Sequence, residues 1–148
     1  MNTNIKINIC KINEGAKIPE YKSSGASGLD LCSCESCVIA PGKIKLISTG
    51  LKLEIPEGYE AQIRSRSGLA LNFGVFCLNS PGTIDSDYRG EIKIILCNLG
   101  EKDFEINAGD RVAQIIFSRV ERAELNLISE DELSKTGRSL NGFGSTGI

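Results

Sequence analysis

The chain contains no histidine and no tryptophan, and a single methionine. Without histidine, Ser-His-Asp and Cys-His nucleophilic pairs, His-ligated zinc and His-based pH switching are all excluded. Acid–base chemistry then falls to Asp, Glu, Lys, Tyr or Cys. Without tryptophan, stacking on a ligand depends on five Phe and three Tyr. Neither sign of charge is in large excess: 17 Lys and Arg face 19 Asp and Glu, a net charge of −2. That balance argues against bulk adhesion to nucleic acid or anionic membranes, while leaving room for a local basic pocket. No stretch approaches the run of about 18 apolar residues that suggests a membrane helix. The N-terminus, Met-Asn-Thr-Asn-Ile-Lys-Ile, carries neither a long apolar run nor a small-residue cleavage site. The expectation is a cytoplasmic protein with no membrane and no direct nucleic-acid partner.

Six cysteines are present, three of them in the cluster Cys32-x-Cys34-x-x-Cys37. A structural zinc site takes four ligands, and no histidine exists to complete a set. In a reducing compartment these thiols stay free. Incidental use as small residues is the expectation, with a metal or redox role as the alternative.

What the 148 residues do contain is period-two alternation. Ile5-Lys6-Ile7-Asn8-Ile9 and Leu51-Lys52-Leu53-Glu54-Ile55 each place apolar side chains on one face of a strand. Further strands are expected at 29–33, 37–40, 43–49, 59–64, 74–78, 90–98, 103–106, 111–120 and 123–128. Pro41-Gly42, Asn72-Phe73-Gly74, Pro81-Gly82 and Asn107-Ala108-Gly109-Asp110 separate them. Many short strands at this spacing predict one all-β domain, closed or double-sheeted, over residues 1–134. Helix is expected only at Ser67–Leu71 and after Ser129, where Ser129 and Glu132 fit a capping box. Residues 135–148, rich in Gly and Ser, bury no face of their own. They read as a tail, or as a flexible arm that orders on a ligand with Phe143 as its aromatic anchor.

Four segments concentrate the residues that phosphate and water chemistry needs. Arg64-Ser65-Arg66-Ser67-Gly68 stands at a strand-to-helix junction, where guanidinium, hydroxyl and backbone N–H groups can converge on an anion. Gly82-Thr83-Ile84-Asp85-Ser86-Asp87-Tyr88-Arg89-Gly90 packs two acids, a Tyr and an Arg between glycines. Gly109-Asp110-Arg111-Val112-Ala113-Gln114 reads as a turn and a buried strand, whose Gln114 amide needs partners. Gly142-Phe143-Gly144-Ser145-Thr146-Gly147 can wrap phosphates with backbone amides but lacks the Lys and the helix of a P-loop.

With Ala-Ser-Gly-Leu-Asp-Leu at 26–31 as a further element, these segments resemble, in order and separation, the five motifs of the trimeric dUTPase family. The resemblance runs from Ala26 to Gly147 and includes Arg138 ahead of the last motif. Three positions depart from the family pattern. Ser65 stands where Pro is usual, and Ser139 and Asn141 stand where glycines are common.

The resemblance implies a distorted jelly-roll or β-clip sandwich with one short helix and an arm that closes over the active site. It implies a homotrimer with shared sites. The implied reaction is Mg2+-assisted hydrolysis of dUTP to dUMP and pyrophosphate, which limits uracil in DNA and supplies dUMP for dTMP synthesis. Asp85 would be the base that activates water for attack on the α-phosphorus. Arg66, Ser67 and Gly68 would hold phosphates, and Asp30 would reach the metal only through water, with Gln114 close by. Asn79, Thr83, Ile84 and Lys93 would line the uracil and sugar pocket, with Tyr88 against the deoxyribose. Phe143 would stack on the base, with Arg138, Gly144, Ser145 and Thr146 around the γ-phosphate. Two alternatives follow from the same motifs: a dCTP deaminase of the same superfamily, and a non-enzymatic trimeric β binding module.

Overall fold

The period-two segments form antiparallel strands in the computed structural model, which describes residues 4–141. In chain order these are β1 (Asn8–Lys11), β2 (Leu29–Cys32), β3 (Cys37–Ile39), β4 (Ile44–Glu54) and β5 (Tyr59–Arg64), then helix α1 (Ser67–Phe73). They continue with β6 (Val75–Cys77), β7 (Gly82–Ile84), β8 (Glu91–Asn98), β9 (Phe104–Ile106) and β10 (Arg111–Arg119). One four-stranded sheet runs β1-β4-β8-β6, a second runs β2-β10-β5-β7, and β3 pairs with β9. The result is an all-β, jelly-roll-type sandwich with one short helix.

Alternation decides which face is dry. Ile47, Leu51, Leu53, Ile92, Ile94 and Leu96 of the first sheet meet Leu31, Ala61, Ile63, Ile84 and Ile115 of the second in one buried cluster. Each fully buried Leu or Ile contributes about 1.5–3 kcal/mol relative to exposure. The polar groups inside are partnered: Asn98 donates to the carbonyls of Ile39 (2.8 Å) and Lys102 (2.9 Å) and accepts from Gly100 N–H.

Two expected strands, 43–49 and 51–55, are one strand interrupted by a bulge. The β4–β8 register shifts between Ser48 and Lys52, and the buried Gly50 sits there at φ 68°. A Cβ at Gly50 would lie 2.8 Å from Asn13 Cβ and 2.9 Å from Ala16 Cβ, so this position is closed to larger residues. The expected N-terminal strand is displaced: residues 8–11, not 5–9, pair with β4.

The strand expected at 123–128 does not form. Among the described residues beyond Arg119 no strand forms, and Leu125 and Leu127 are 91% and 98% exposed. The Ser129–Glu132 capping box is present and starts a 3-10 turn over Glu130–Glu132.

Candidate active site

The sheet β2-β10-β5-β7 carries the chemistry-bearing segments on opposite edges. At one edge, Asp30 on β2 lies opposite Gln114 on β10, which in turn lies opposite Arg64 at the end of β5. Arg111 donates to Asp30 Oδ2 at 3.0 Å, and Arg66 Nε stands 3.9 Å from Asp30 Oδ1. Arg66 also donates to the Arg111 carbonyl. One carboxylate is therefore shared by two guanidiniums, leaving the cluster one positive charge in excess. Gln114 satisfies its partly buried amide by donating to the Ser65 carbonyl at 2.9 Å.

Arg66 is also the extended residue that precedes α1. The first helical bond runs from Ala70 N–H to the Arg66 carbonyl, so the N–H groups of Ser67, Gly68 and Leu69 precede the ladder. Ser67 and Gly68 are exposed at that point. Ser65 accepts from Cys77 N–H at 2.9 Å, which ties the loop to β6 through a bond that proline could not make.

At the other edge, β7 and β8 flank the hairpin 85–90. A cleft of about 530 Å³ there is lined by Leu46, Thr83, Ile84, Asp85, Tyr88, Glu91, Ile92 and Lys93. Tyr88 is pinned across the hairpin. Its hydroxyl donates to the Glu91 carbonyl at 3.1 Å, and its ring covers Gly90, where a Cβ would collide with the Tyr88 hydroxyl. Arg89 closes the turn by donating to the carbonyls of Ser86 (2.6 Å) and Tyr88 (3.0 Å). Asp85 is exposed, and among the described residues no hydrogen bond or ion pair reaches its carboxylate.

The structure thus brings Asp30, Arg66 and Gln114 together, with Ser67 and Gly68 following Arg66 on α1. It gathers Thr83, Ile84, Asp85, Tyr88 and Lys93 separately around the cleft. Asn79 is exposed in the turn before β7, with its amide packed against Gly82. The two groups are not adjacent within one chain. Asp85 continues β7 to the level of Glu60, three strands and four residues away from Asp30, a diagonal of about 19 Å.

Arg138 is exposed and donates through Nε to the Asn141 carbonyl at 2.9 Å. Ser139 sits at φ 45°, a conformation that favours glycine. Phe143, Gly144, Ser145 and Thr146 lie outside the described residues.

Three contributors escaped sequence reasoning: Arg111, Leu46 and Glu91. Arg111 read as part of a turn, and only strand register reveals that it faces Asp30. Glu91 carries no motif signal, yet its carboxylate accepts from Gly50 N–H at 2.9 Å and faces Lys93 Nζ at 3.5 Å. All six cysteines are free thiols. Among the described residues no three His, Cys, Asp or Glu side chains converge to hold a metal, so Cys32, Cys34 and Cys37 are not gathered. Burial pushes the thiols of Cys32, Cys34, Cys37 and Cys77 above their ordinary range. No helix of the described residues is long and apolar enough to cross a membrane.

Known proteins match this arrangement along nearly the whole chain. The chain is 55% identical to the deoxyuridine 5'-triphosphate nucleotidohydrolase of Wolinella succinogenes, over 97% of this chain and 95% of that one. It is 50% identical to the enzyme of the same name from Helicobacter pylori, over 97% and 98%. Its fold superposes on a Staphylococcus bacteriophage 80alpha dUTPase with a TM-score of 0.89, covering 98% of this chain and 100% of that chain at 24% identity. The dUTPase family model matches residues 14–147, so the chain belongs to the dUTPase family.

Proposed function

We propose that this chain hydrolyses dUTP to dUMP and pyrophosphate, with Asp85 as the general base. The observation that carries the reading is the position of Asp85. Its carboxylate, without a hydrogen bond or ion pair among the described residues, lines a cleft whose size and lining suit a nucleoside. A carboxylate so placed can orient a water and take its proton as the water attacks the α-phosphorus. Arg66 and the exposed N–H groups of Ser67 and Gly68 supply fixed donors for the charge that develops on the phosphate oxygens.

Uracil presents one donor between two acceptors, whereas cytosine presents an acceptor and an amino donor. Backbone groups at Thr83, Ile84 and Lys93, with Asn79, would match uracil and leave unpaired polar groups against cytosine. Tyr88, locked across Gly90, would occupy the space a 2′-hydroxyl needs.

The donor set suits Mg2+ carried by substrate. A single carboxylate already shared by two arginines cannot cage a cation, but it can hold water bound to an ion whose other ligands are phosphate oxygens. Asp30 and Gln114 would hold that ion through water, and its chemistry is neutralisation of phosphate charge.

The wide separation of Asp85 from the Asp30–Arg66 cluster supports a site shared between chains. One phosphate cannot meet both groups of the same protomer. Exposed Ile44 and Leu46 on β4 and Leu78 after β6, together with the uncovered Leu125 and Leu127, supply apolar surface for assembly. We assign a homotrimer in which residues 135–148 form an arm that closes over the site. Phe143 would cover the base, with Arg138, Gly144, Ser145 and Thr146 at the γ-phosphate. In the cell this activity would keep uracil out of DNA and supply dUMP for dTMP synthesis, in the cytoplasm.

Pyrophosphate release from each dNTP and from UTP, measured with Mg2+, tests the reading. Hydrolysis of dUTP far above the others is expected. Ammonia release from dCTP, or no turnover of any nucleotide, would overturn it.

A further inference from the structure

The β4 bulge and the hairpin cleft meet at one side chain. Glu91 opens β8 immediately after the hairpin and is one-fifth exposed. Its Oε1 accepts from Gly50 N–H at 2.9 Å, and its Oε2 lies 3.5 Å from Lys93 Nζ. Its carbonyl receives the Tyr88 hydroxyl at 3.1 Å.

The Gly50 amide needs such a partner. A bulge leaves its extra residue out of the strand ladder, and a buried N–H without an acceptor is costly. Gly50 is buried, held at φ 68°, and packed against Asn13 and Ala16. Its carbonyl is taken by Ile12 N–H at 2.8 Å, and its neighbour Thr49 donates to the Ile92 carbonyl at 2.6 Å. Glu91 is the side chain that completes the set. In doing so it ties the bulge in β4, which follows the cleft-lining Leu46 along that strand, to the strand that carries Lys93.

We infer that Glu91 is a positioning residue for nucleoside binding: by holding the Gly50 bulge, Lys93 and the Tyr88 hairpin in one geometry, it sets the width of the cleft. The inference rests on the proposed dUTP hydrolysis taking place at this cleft. The critical property is an acceptor oxygen at the right reach, more than the negative charge. Glutamine keeps that oxygen, whereas aspartate keeps the charge but is one methylene too short.

The experiment compares Glu91→Gln, Glu91→Asp and Glu91→Ala with the unaltered protein for dUTP KM, kcat and ligand-free melting temperature. Hydrolysis of dUTP by the unaltered protein is the control, and its failure would strike the proposed function alone. With that control positive, Glu91→Ala and Glu91→Asp are expected to raise KM about tenfold while kcat stays within about threefold. Glu91→Gln is expected to hold KM within about threefold of the original. Where Glu91→Ala does not fold, the Gln and Asp variants decide the matter. An unchanged KM in Glu91→Asp, or Gln no better than Asp, would overturn the inference. So would kcat and KM deteriorating together in step with melting temperature.

Discussion

Asp30 and Asp85 are the same residue in opposite situations on one sheet. Asp30 sits on a strand, four-fifths buried, with a guanidinium near each oxygen. Asp85 sits just past a strand end, exposed and, among the described residues, unpaired. The first is committed to fixing two guanidiniums; the second keeps its carboxylate open to solvent. The difference comes from register, because β10 brings Arg111 opposite the Asp30 segment, while among the described residues no cation pairs with Asp85, although Lys93 lines the same cleft. Residue type therefore says little about which acid does chemistry, and the neighbours that share its lone pairs say much more.

Asp85→Asn breaks the comparison most sharply. The amide keeps the shape but cannot take a proton, so turnover should fall about 10²–10⁴-fold. Nucleotide binding and melting temperature should persist, since the site is exposed and unpaired; single-turnover kinetics with calorimetry would check both. Near-normal turnover would remove Asp85 as the base.

Asp30→Asn should act differently. It leaves two arginines without their shared partner, so kcat should fall about 10–100-fold, as for loss of an outer-shell metal contact. KM should not rise, because the cluster gains positive charge toward phosphate. Unlike Asp85→Asn, it should also destabilise the fold, by about 1 kcal/mol, since Arg66 is one-quarter and Arg111 one-half exposed to screening solvent. Steady-state kinetics with thermal melts would separate the two acids.

Deleting 138–148 should lower kcat/KM about tenfold or more through lost positioning and water exclusion, with little change in melting temperature. Mixing that truncated chain with Asp85→Asn after joint refolding should restore some activity. No recovery, despite mixed trimers in native mass spectrometry, would place base and arm on one chain. Tyr88→Ala should lower the dUTP-to-UTP efficiency ratio severalfold, and an unchanged ratio would show that another group senses the 2′-position.

The smallest effect is expected from the cysteines. Replacing Cys32, Cys34 and Cys37 together with Ser should leave assembly and activity intact. A stoichiometric zinc signal lost with them would overturn that view. Burial raises their folded thiol pKa, so the unfolded chain loses its protons first. Stability should then be full below about pH 8.5 and decline above it. Melts across that window should show a shallower decline in the triple variant.

Most of the sandwich was legible in the sequence because each buried strand alternates cleanly. Strands at 29–33, 59–64, 90–98 and 111–120 formed within a residue or two of expectation. What alternation could not reveal was partnership. Residues 123–128 alternate as well as any strand, yet they find no edge to pair with inside one chain. The same reason hid Arg111, whose role depends on a strand eighty residues earlier in the chain. Gly50 was invisible for a local reason: a single glycine between two alternating runs looks like a turn, while here it is a bulge in a continuous strand. Motif spacing singled out Asp85 and Tyr88, which line one cleft, because their hairpin is contiguous. Glu91 closes that hairpin, but its work depends on Gly50, forty-one positions away.

The span of roughly 19 Å between the acid and the cations also bears on how rate depends on amount. In the proposed shared site, a lone protomer would hold two fragments of different sites and no complete one. Output per chain would then depend on how many chains have met, and it would fall on dilution faster than the protein itself. A newly made chain would be inert until it encounters others, so the onset of hydrolysis would follow a power of expression level higher than the first.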